Sequence, residues 1–195
     1  MTKIQITRAD LTDRDFIRSV SERTWPSTYG HIISQAHIDF MLEWMYSDDS
    51  LATQMNTGCE FYIASIKDSN FDNFDNVHNF DNVYNSDWED IGFCSVSPED
   101  GENNSTEKVE GSKAHKLNKL YVLPAAQGTG AGKALLNKSI EVAKAAGSSS
   151  LFLQVNKLNT AYSFYLKHGF IKEAEFKFDI GNGFFMDDYV MRLTF

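Results

Sequence analysis

Three observations predict one α/β domain of the α+β kind, a mixed sheet flanked by helices. The chain is 195 residues long, within the usual size of a single domain. Hydrophobic residues make up 42% and charged residues 23%, so the composition suits a packed core rather than disorder or a fibrous repeat. Short strand-like and helix-like periodicities alternate along the chain. Residues 117–155 then read as strand, glycine-rich turn, helix and strand, a βαβ unit whose right-handed crossover makes its two strands parallel.

Ile4 and Ile6 alternate with polar residues as a first strand. Thr12-Asp13-Arg14-Asp15 has the form of a capping box with Asp in the third place, which starts a helix there. Phe16, Ile17 and Val20 keep helical spacing, and Pro26 predicts a break between residues 25 and 30. Ser34 caps a further helix with Ile38, Met41, Leu42 and Met45 on one face, and a shorter helical stretch covers residues 51–55. Strands follow at 61–64 and 91–96.

Between those strands lies a tandem repeat, Phe74-Asp75-Asn76-Val77-His78-Asn79 followed by Phe80-Asp81-Asn82-Val83-Tyr84-Asn85. Its Asn and Asp density favours turns, two copies are too few for a solenoid, and the Gly and terminal Glu of a calcium loop are missing. Residues 68–90 are therefore read as a surface insertion. Residues 97–116, rich in Glu, Asn, Ser and Gly, form a second long connection. Beyond them come a strand at 117–123, a helix at 133–146 closed by Gly147, a strand at 151–155, and a helix at 160–168 stopped by Gly169. Strands at 173–180 and 188–193 complete the sheet, with Asn182-Gly183 as a hairpin turn between them.

The formal charge of −9 opposes a nucleic-acid partner, whose phosphates require basic residues, and matches a cationic amine better. Cys59 and Cys94, each among apolar neighbours, read as buried inert thiols rather than a disulfide or metal pair. The five histidines lack ligand spacing, so no metal is proposed. No segment approaches the roughly 20 apolar residues of a membrane span, and the first residues lack a signal-peptide pattern. No membrane partner is expected, and a cytoplasmic location is. The sequons at Asn103 and Asn104 then carry little weight. Exposed terminal strands leave monomer and homodimer both open.

The chemistry concentrates in Leu120-Tyr121-Val122-Leu123-Pro124-Ala125-Ala126-Gln127-Gly128-Thr129-Gly130-Ala131-Gly132-Lys133. A strand feeding a glycine-rich turn into a helix makes an anion cradle, since backbone N–H groups converge and the helix dipole adds positive potential. A Walker A loop would need Gly in place of Gln127 and Ser or Thr in place of Ala134. The dinucleotide pattern fails at Lys133.

Gln127-x-x-Gly130-x-Gly132 closely resembles the pyrophosphate signature of the GNAT superfamily of N-acetyltransferases, and Leu120-Tyr121-Val122-x-Pro124 resembles the strand leading into it. Asn159-Thr160-Ala161-Tyr162-Ser163-Phe164-Tyr165-Leu166-Lys167-His168-Gly169-Phe170 is similar to the family's other marker. The resemblance is sharp over residues 117–170 and extends to most of the chain by layout. It implies a mostly antiparallel GNAT-like sheet whose parallel strand pair splays apart, with acetyl-CoA as co-substrate in the gap.

Through that resemblance, the backbone of Tyr121, Val122 and Leu123 is expected to meet the pantetheine arm. Gln127, Gly128, Thr129, Gly130, Ala131, Gly132 and Lys133 are expected at the pyrophosphate, with Lys133 equally readable as a solvated side chain. Asn159 is expected to contact the cofactor, to cap its helix, or both. Tyr165 occupies the position from which family members protonate the departing thiolate, and it is the expected catalytic residue.

The implied reaction is direct attack of a neutral amine on the thioester, in a ternary complex, with the oxyanion held by a backbone N–H near Val122. Many relatives carry a Glu where this chain has Lys116. His115, Glu60, Asp187 or a water chain remain as bases. Trp25, Tyr29, Asp187 and Asp188 are the candidates for substrate contact, and Trp44 is a further possible wall. The expected acceptor is a primary amine, with a polyamine or other small cationic amine leading and a protein or peptide amine second. A catalytically silent acyl-CoA-binding module is the rival from another class, and an interaction protein working through the repeat is a third.

Overall fold

A computed structural model describes residues 2–67, 88–99 and 113–195. The Phe-Asp-Asn repeat and most of the second polar connection lie outside the described residues. Seven strands form one sheet in the order β1-β2-β3-β4-β5-β7-β6. They are β1 (Lys3–Arg8), β2 (Glu60–Lys67), β3 (Glu89–Glu99), β4 (Ala114–Val122), β5 (Ser150–Asn156), β6 (Ile171–Gly181) and β7 (Phe184–Thr194). Every neighbouring pair is antiparallel except β4 and β5, giving the mixed, mostly antiparallel sheet that was expected. Strands β3 and β4 each reach three residues into the stretch assigned to the second connection, because Ser97, Pro98 and Glu99 pair with Lys116, His115 and Ala114.

The sheet separates two helical layers, and β3 shows why. Phe93 packs edge-on against Tyr46, whereas the thiol of its neighbour Cys94 reaches the Leu135 carbonyl on the other side, as strand alternation requires. Helices α1 (Arg14–Tyr29), α2 (Gln35–Tyr46) and α3 (Asp48–Asn56) cover the first face; α4 (Ala131–Ala145) and α5 (Ala161–Lys167) cover the second. Cys94 is fully buried, and burial pushes its thiol up to about 12. Cys59, expected to be buried, is only partly so.

Two local expectations about α1 are corrected. The capping box belongs to Asp10, which accepts from the Thr12 N–H at 2.7 Å, while the Asp13 carboxylate accepts from the Asp10 N–H at 2.9 Å. A single turn, Leu11–Asp13, then runs directly into the helix. Nor does Pro26 break it: α1 continues to Tyr29. Pro26 and Glu22, whose carbonyl loses its donor, both lie on the exposed side. Ile17, Val20, Ser21, Thr24 and Trp25 stay buried on the opposite one, so packing outweighs the local penalty of proline.

The feature that positions the site is the end of the β4–β5 ladder. Those strands pair only from Ala114↔Ser150 to Leu117↔Leu153, yet β4 continues to Val122 and β5 to Asn156. Beyond Leu117 they part, which leaves backbone groups on two facing strands without a ladder. At the same place β3 and β4 change register: Ser95 faces Lys119 while Val96 faces Leu117, so Asn118 is an extra residue. A bulge of this kind kinks its strand and re-aims the side chains that follow.

Candidate functional site

On one side of the gap a groove of about 700 Å³ runs between α1, β4, β5 and α5. The glycine loop floors one end. Gly128 and Gly130 hold φ of +84° and +96°, a region that only glycine enters freely. Gly130 caps α4, and Ala134 donates to its carbonyl at 3.0 Å. The first N–H groups of any helix lack intrahelical acceptors; in α4 that of Ala131 donates to the Thr129 hydroxyl at 3.4 Å, and Gly132 and Lys133 of the first turn line this end of the groove. Gly132 has no such backbone demand: a methyl there would sit at ordinary contact, 3.8 Å from Phe164. What its hydrogen keeps open is the groove itself. The loop thus fits a pyrophosphate, with N–H donors, a helix N-terminus and a floor that side chains would fill.

Of the residues expected at the cofactor, Tyr121, Val122, Gln127, Gly128, Gly130, Gly132, Lys133, Asn159 and Tyr165 line this groove. Leu123, Thr129 and Ala131 do not. The Leu123 N–H is taken by the Ile91 carbonyl at 2.8 Å, and its side chain is buried. Thr129 turns its hydroxyl back to the Ala126 carbonyl at 2.7 Å, and Ala131 packs in the core. These three support the loop from behind. Gln127 donates to the Val122 carbonyl at 3.4 Å, Lys133 is exposed, and Asn159 caps α5 by accepting from the Ala161 N–H at 2.9 Å.

Tyr165 is 8% exposed and packs edge-on against Phe164 and Phe170. Burial raises its phenol well above the ordinary value, so it stays protonated across the neutral range. It borders the groove in that protonated form.

On the other side of the gap lies a second cavity of about 450 Å³. Helices α1 and α2 wall one side, and the β6–β7 hairpin walls the other. The ring of His37 on α2 lies flat against Phe184 at the start of β7, with centroids 4.5 Å apart. The hairpin turn is the expected one, with Asn182 and Gly183 both at positive φ. Trp25, Ile33, Met41, Met45 and Met186 give the cavity an apolar side, polar and charged residues of β4, β5 and β7 line the rest, and the rings of Trp44, Phe178 and Phe185 are exposed.

The two cavities meet where β4 and β5 part, for Tyr29, Leu117, Asn118, Lys119, Tyr121 and Gln154 line both. Trp25, Tyr29 and Asp188, expected near the substrate, line the second cavity. Asp187 does not. Strand alternation turns it to the other face of β7, where Lys157 pairs with it at 2.7 Å. Asp188 is 4% exposed, and burial first, then Asp187, raise its carboxyl to about 6.

The other expected bases lie away from both cavities. His115 is buried with Nδ1 2.7 Å from the Ser148 hydroxyl. Glu60 accepts from the Tyr62 hydroxyl at 2.7 Å and pairs with Arg8 at 3.4 Å. Lys119 and Gln54, absent from the expectations, stand in the second cavity instead. The only sequence signal for Lys119 is a charged residue between the apolar Leu117 and Leu120-Tyr121-Val122 of its strand, and the bulge at Asn118 lies directly before it.

A sequence profile of the acetyltransferase (GNAT) domain matches residues 82–172. Over that stretch, just under half of the chain, the sequence is similar to a GNAT acetyltransferase domain. An uncharacterized N-acetyltransferase of Mycobacterium tuberculosis and another of Mycobacterium bovis are each 40% identical to it over 77 residues, 39% of this chain. The match spans about half (49%) of each relative. Among solved structures, the PaiA N-acetyltransferase of Thermoplasma acidophilum, in complex with coenzyme A, superposes with a TM-score of 0.68 at 23% identity over 99% of both chains. Arabidopsis thaliana NAA60, in complex with a bisubstrate analogue, does so at 0.68 and 15% over 98% of both. At such identities the likeness is one of fold, and it extends beyond the matched segment.

Proposed function

We propose that the protein transfers an acetyl group from acetyl-CoA to the amine of a small molecule. The observation that carries this reading is the meeting of a glycine-floored groove and a second cavity, part apolar and part charged, at one gap in the sheet. A thioester reaching along the groove and an amine entering from the cavity would face each other there, which is the proximity that acyl transfer needs. The coenzyme A held by the PaiA structure supports the choice of acyl donor.

In the proposed reaction the amine nitrogen forms a bond to the thioester carbonyl carbon. The carbon–sulfur bond breaks with its electron pair leaving on sulfur. One proton leaves the nitrogen and one reaches the sulfur from Tyr165, giving the N-acetyl product and the CoA thiol. Gly128, Gly130 and Gly132 would hold the pyrophosphate, and backbone groups of β4 beyond Leu117 would hold the arm. Asp188 is the carboxylate that lines the acceptor cavity, and it replaces His115, Glu60 and Asp187 as the group to receive the amine proton. The cavity also weakens the case for a polyamine, since Lys116 and Lys119 both line it and would repel a second ammonium group.

Release of CoA thiol, followed with wild type and Tyr165→Phe over a panel of amines, tests this reading. Amine-dependent release that slows sharply in the variant supports it. Binding of acetyl-CoA without release for any amine favours a silent acyl-CoA-binding module.

A further inference from the structure

Lys119 is 5% exposed at the wall of the acceptor cavity. Its ammonium group donates to the side-chain oxygen of Gln54 and lies 5.5 Å from the ring centre of Tyr46 and 5.6 Å from that of Phe61. Those are neutral partners, and no carboxylate forms an ion pair with it among the described residues. A buried cation without a counter-charge is costly, and burial accordingly lowers this amine to about 8, with Cys59 opposing the fall and Lys116 adding to it. Lys116 lines the same cavity and is close enough to both Lys119 and Asp188 to shift them. Lys119, Lys116 and Asp188 thus line one cavity, together with Trp25 of α1 and Met41 and Met45 of α2.

Resting on the proposed acetyl transfer, we infer that the acceptor is an amine that also carries a carboxylate and an apolar body, such as an aliphatic or aromatic amino acid. Lys119, supported by Lys116, is the cation that meets the carboxylate, and Asp188 is the anion that meets the amine. An acceptor of this kind supplies the counter-charge Lys119 lacks, places its side chain against Trp25 and Met41, and fills a cavity of ordinary small-ligand size. A polyamine would do none of these, and a peptide N-terminus would leave Lys119 without a partner.

Calorimetric titration of the whole protein, saturated with CoA so that no transfer occurs, tests the inference with phenylalanine, leucine, phenethylamine, phenylalaninamide, spermidine and a tetrapeptide amide. Charge-assisted contacts to a buried partner predict that phenylalanine binds about 10-fold to 100-fold tighter than phenethylamine or phenylalaninamide. In Lys119→Met that ratio should fall to about one. The inference is overturned if phenethylamine, spermidine or the tetrapeptide binds as tightly as the amino acids, or if Lys119→Met leaves the ratio intact. The comparison in wild type stands even if the variant does not fold. Preferential binding of the amino acids with no acetyl transfer after acetyl-CoA replaces CoA would sink the proposed function and leave this recognition standing.

Discussion

The hydroxyl oxygens of Tyr29 on α1 and Tyr121 on β4 stand 3.5 Å apart at the junction of the two cavities. Asn159, which caps α5, donates to the same Tyr29 hydroxyl at 3.4 Å. One phenol thus ties the helix over the acceptor cavity to the strand and the helix end that border the groove. Tyr29→Phe keeps the ring against Trp25, whose centroid is 4.6 Å away, and removes only the polar link. Losing contacts of about 0.5–1.5 kcal/mol should lower kcat/KM about 2-fold to 10-fold while Tm changes little. Steady-state kinetics alongside a thermal melt checks both parts.

Tyr165→Phe removes the proposed acid while leaving the ring edge-on to Phe164 and Phe170. General-acid catalysis is worth about 100-fold to 10,000-fold, so kcat should fall by an amount in that range. Because burial holds the phenol well above its ordinary value, the wild-type rate should show no falling limb from this group between about pH 6 and pH 9. A pH profile of kcat for both proteins provides the measurement.

Asp188 gives a pH signature in stability. Its carboxyl is raised from 3.8 to about 6, so between those values the unfolded chain releases its proton while the folded chain keeps it. Stability therefore falls as pH rises through that window and is lower above it. Lys116 and Lys157 oppose the shift, and Asp187 adds to it. Asp188→Asn should melt higher than wild type at pH 7.5 by several degrees, corresponding to roughly 1–3 kcal/mol, and the difference should shrink through the window and vanish about one pH unit below it, near pH 3. Acetyl transfer should fall in the same variant. Melts at the two pH values, paired with activity, separate a functional carboxylate from an inert one.

The glycine loop separates two kinds of glycine. Gly132→Ala meets no close contact and no positive φ, so stability should hold or rise slightly, while affinity for acetyl-CoA falls about tenfold or more. Gly128→Ala, at φ +84°, should instead cost about 1–2 kcal/mol of stability. Calorimetric affinity and chemical denaturation of the two variants distinguish these outcomes.

What the sequence disclosed was mostly what short-range chemistry fixes. The turn at Asn182-Gly183, the left-handed stops at Gly147 and Gly169, and the strand–loop–helix around Gly130 each depend on neighbouring residues, and each was legible. Long-range packing hid the rest. Pro26 read as a break because the buried face that carries α1 through it is visible only in the fold. Asp187 and Asp188 read as a pair because adjacency in the chain does not say which face of β7 is covered. Lys119 escaped notice because the bulge directly before it, at Asn118, is set by the register between β3 and β4.

If the groove and the cavity together join an acetyl group to an amine at the gap between β4 and β5, the products must form in equal amounts. The most direct test incubates wild-type protein with acetyl-CoA and phenylalanine and quantifies both the CoA thiol and N-acetylphenylalanine by mass spectrometry. Equal amounts of the two products are expected, formed only when protein, acetyl-CoA and amine are all present. Tight binding of acetyl-CoA with thiol release that does not depend on an amine, or with no N-acetyl product from any amine supplied, would contradict this transfer.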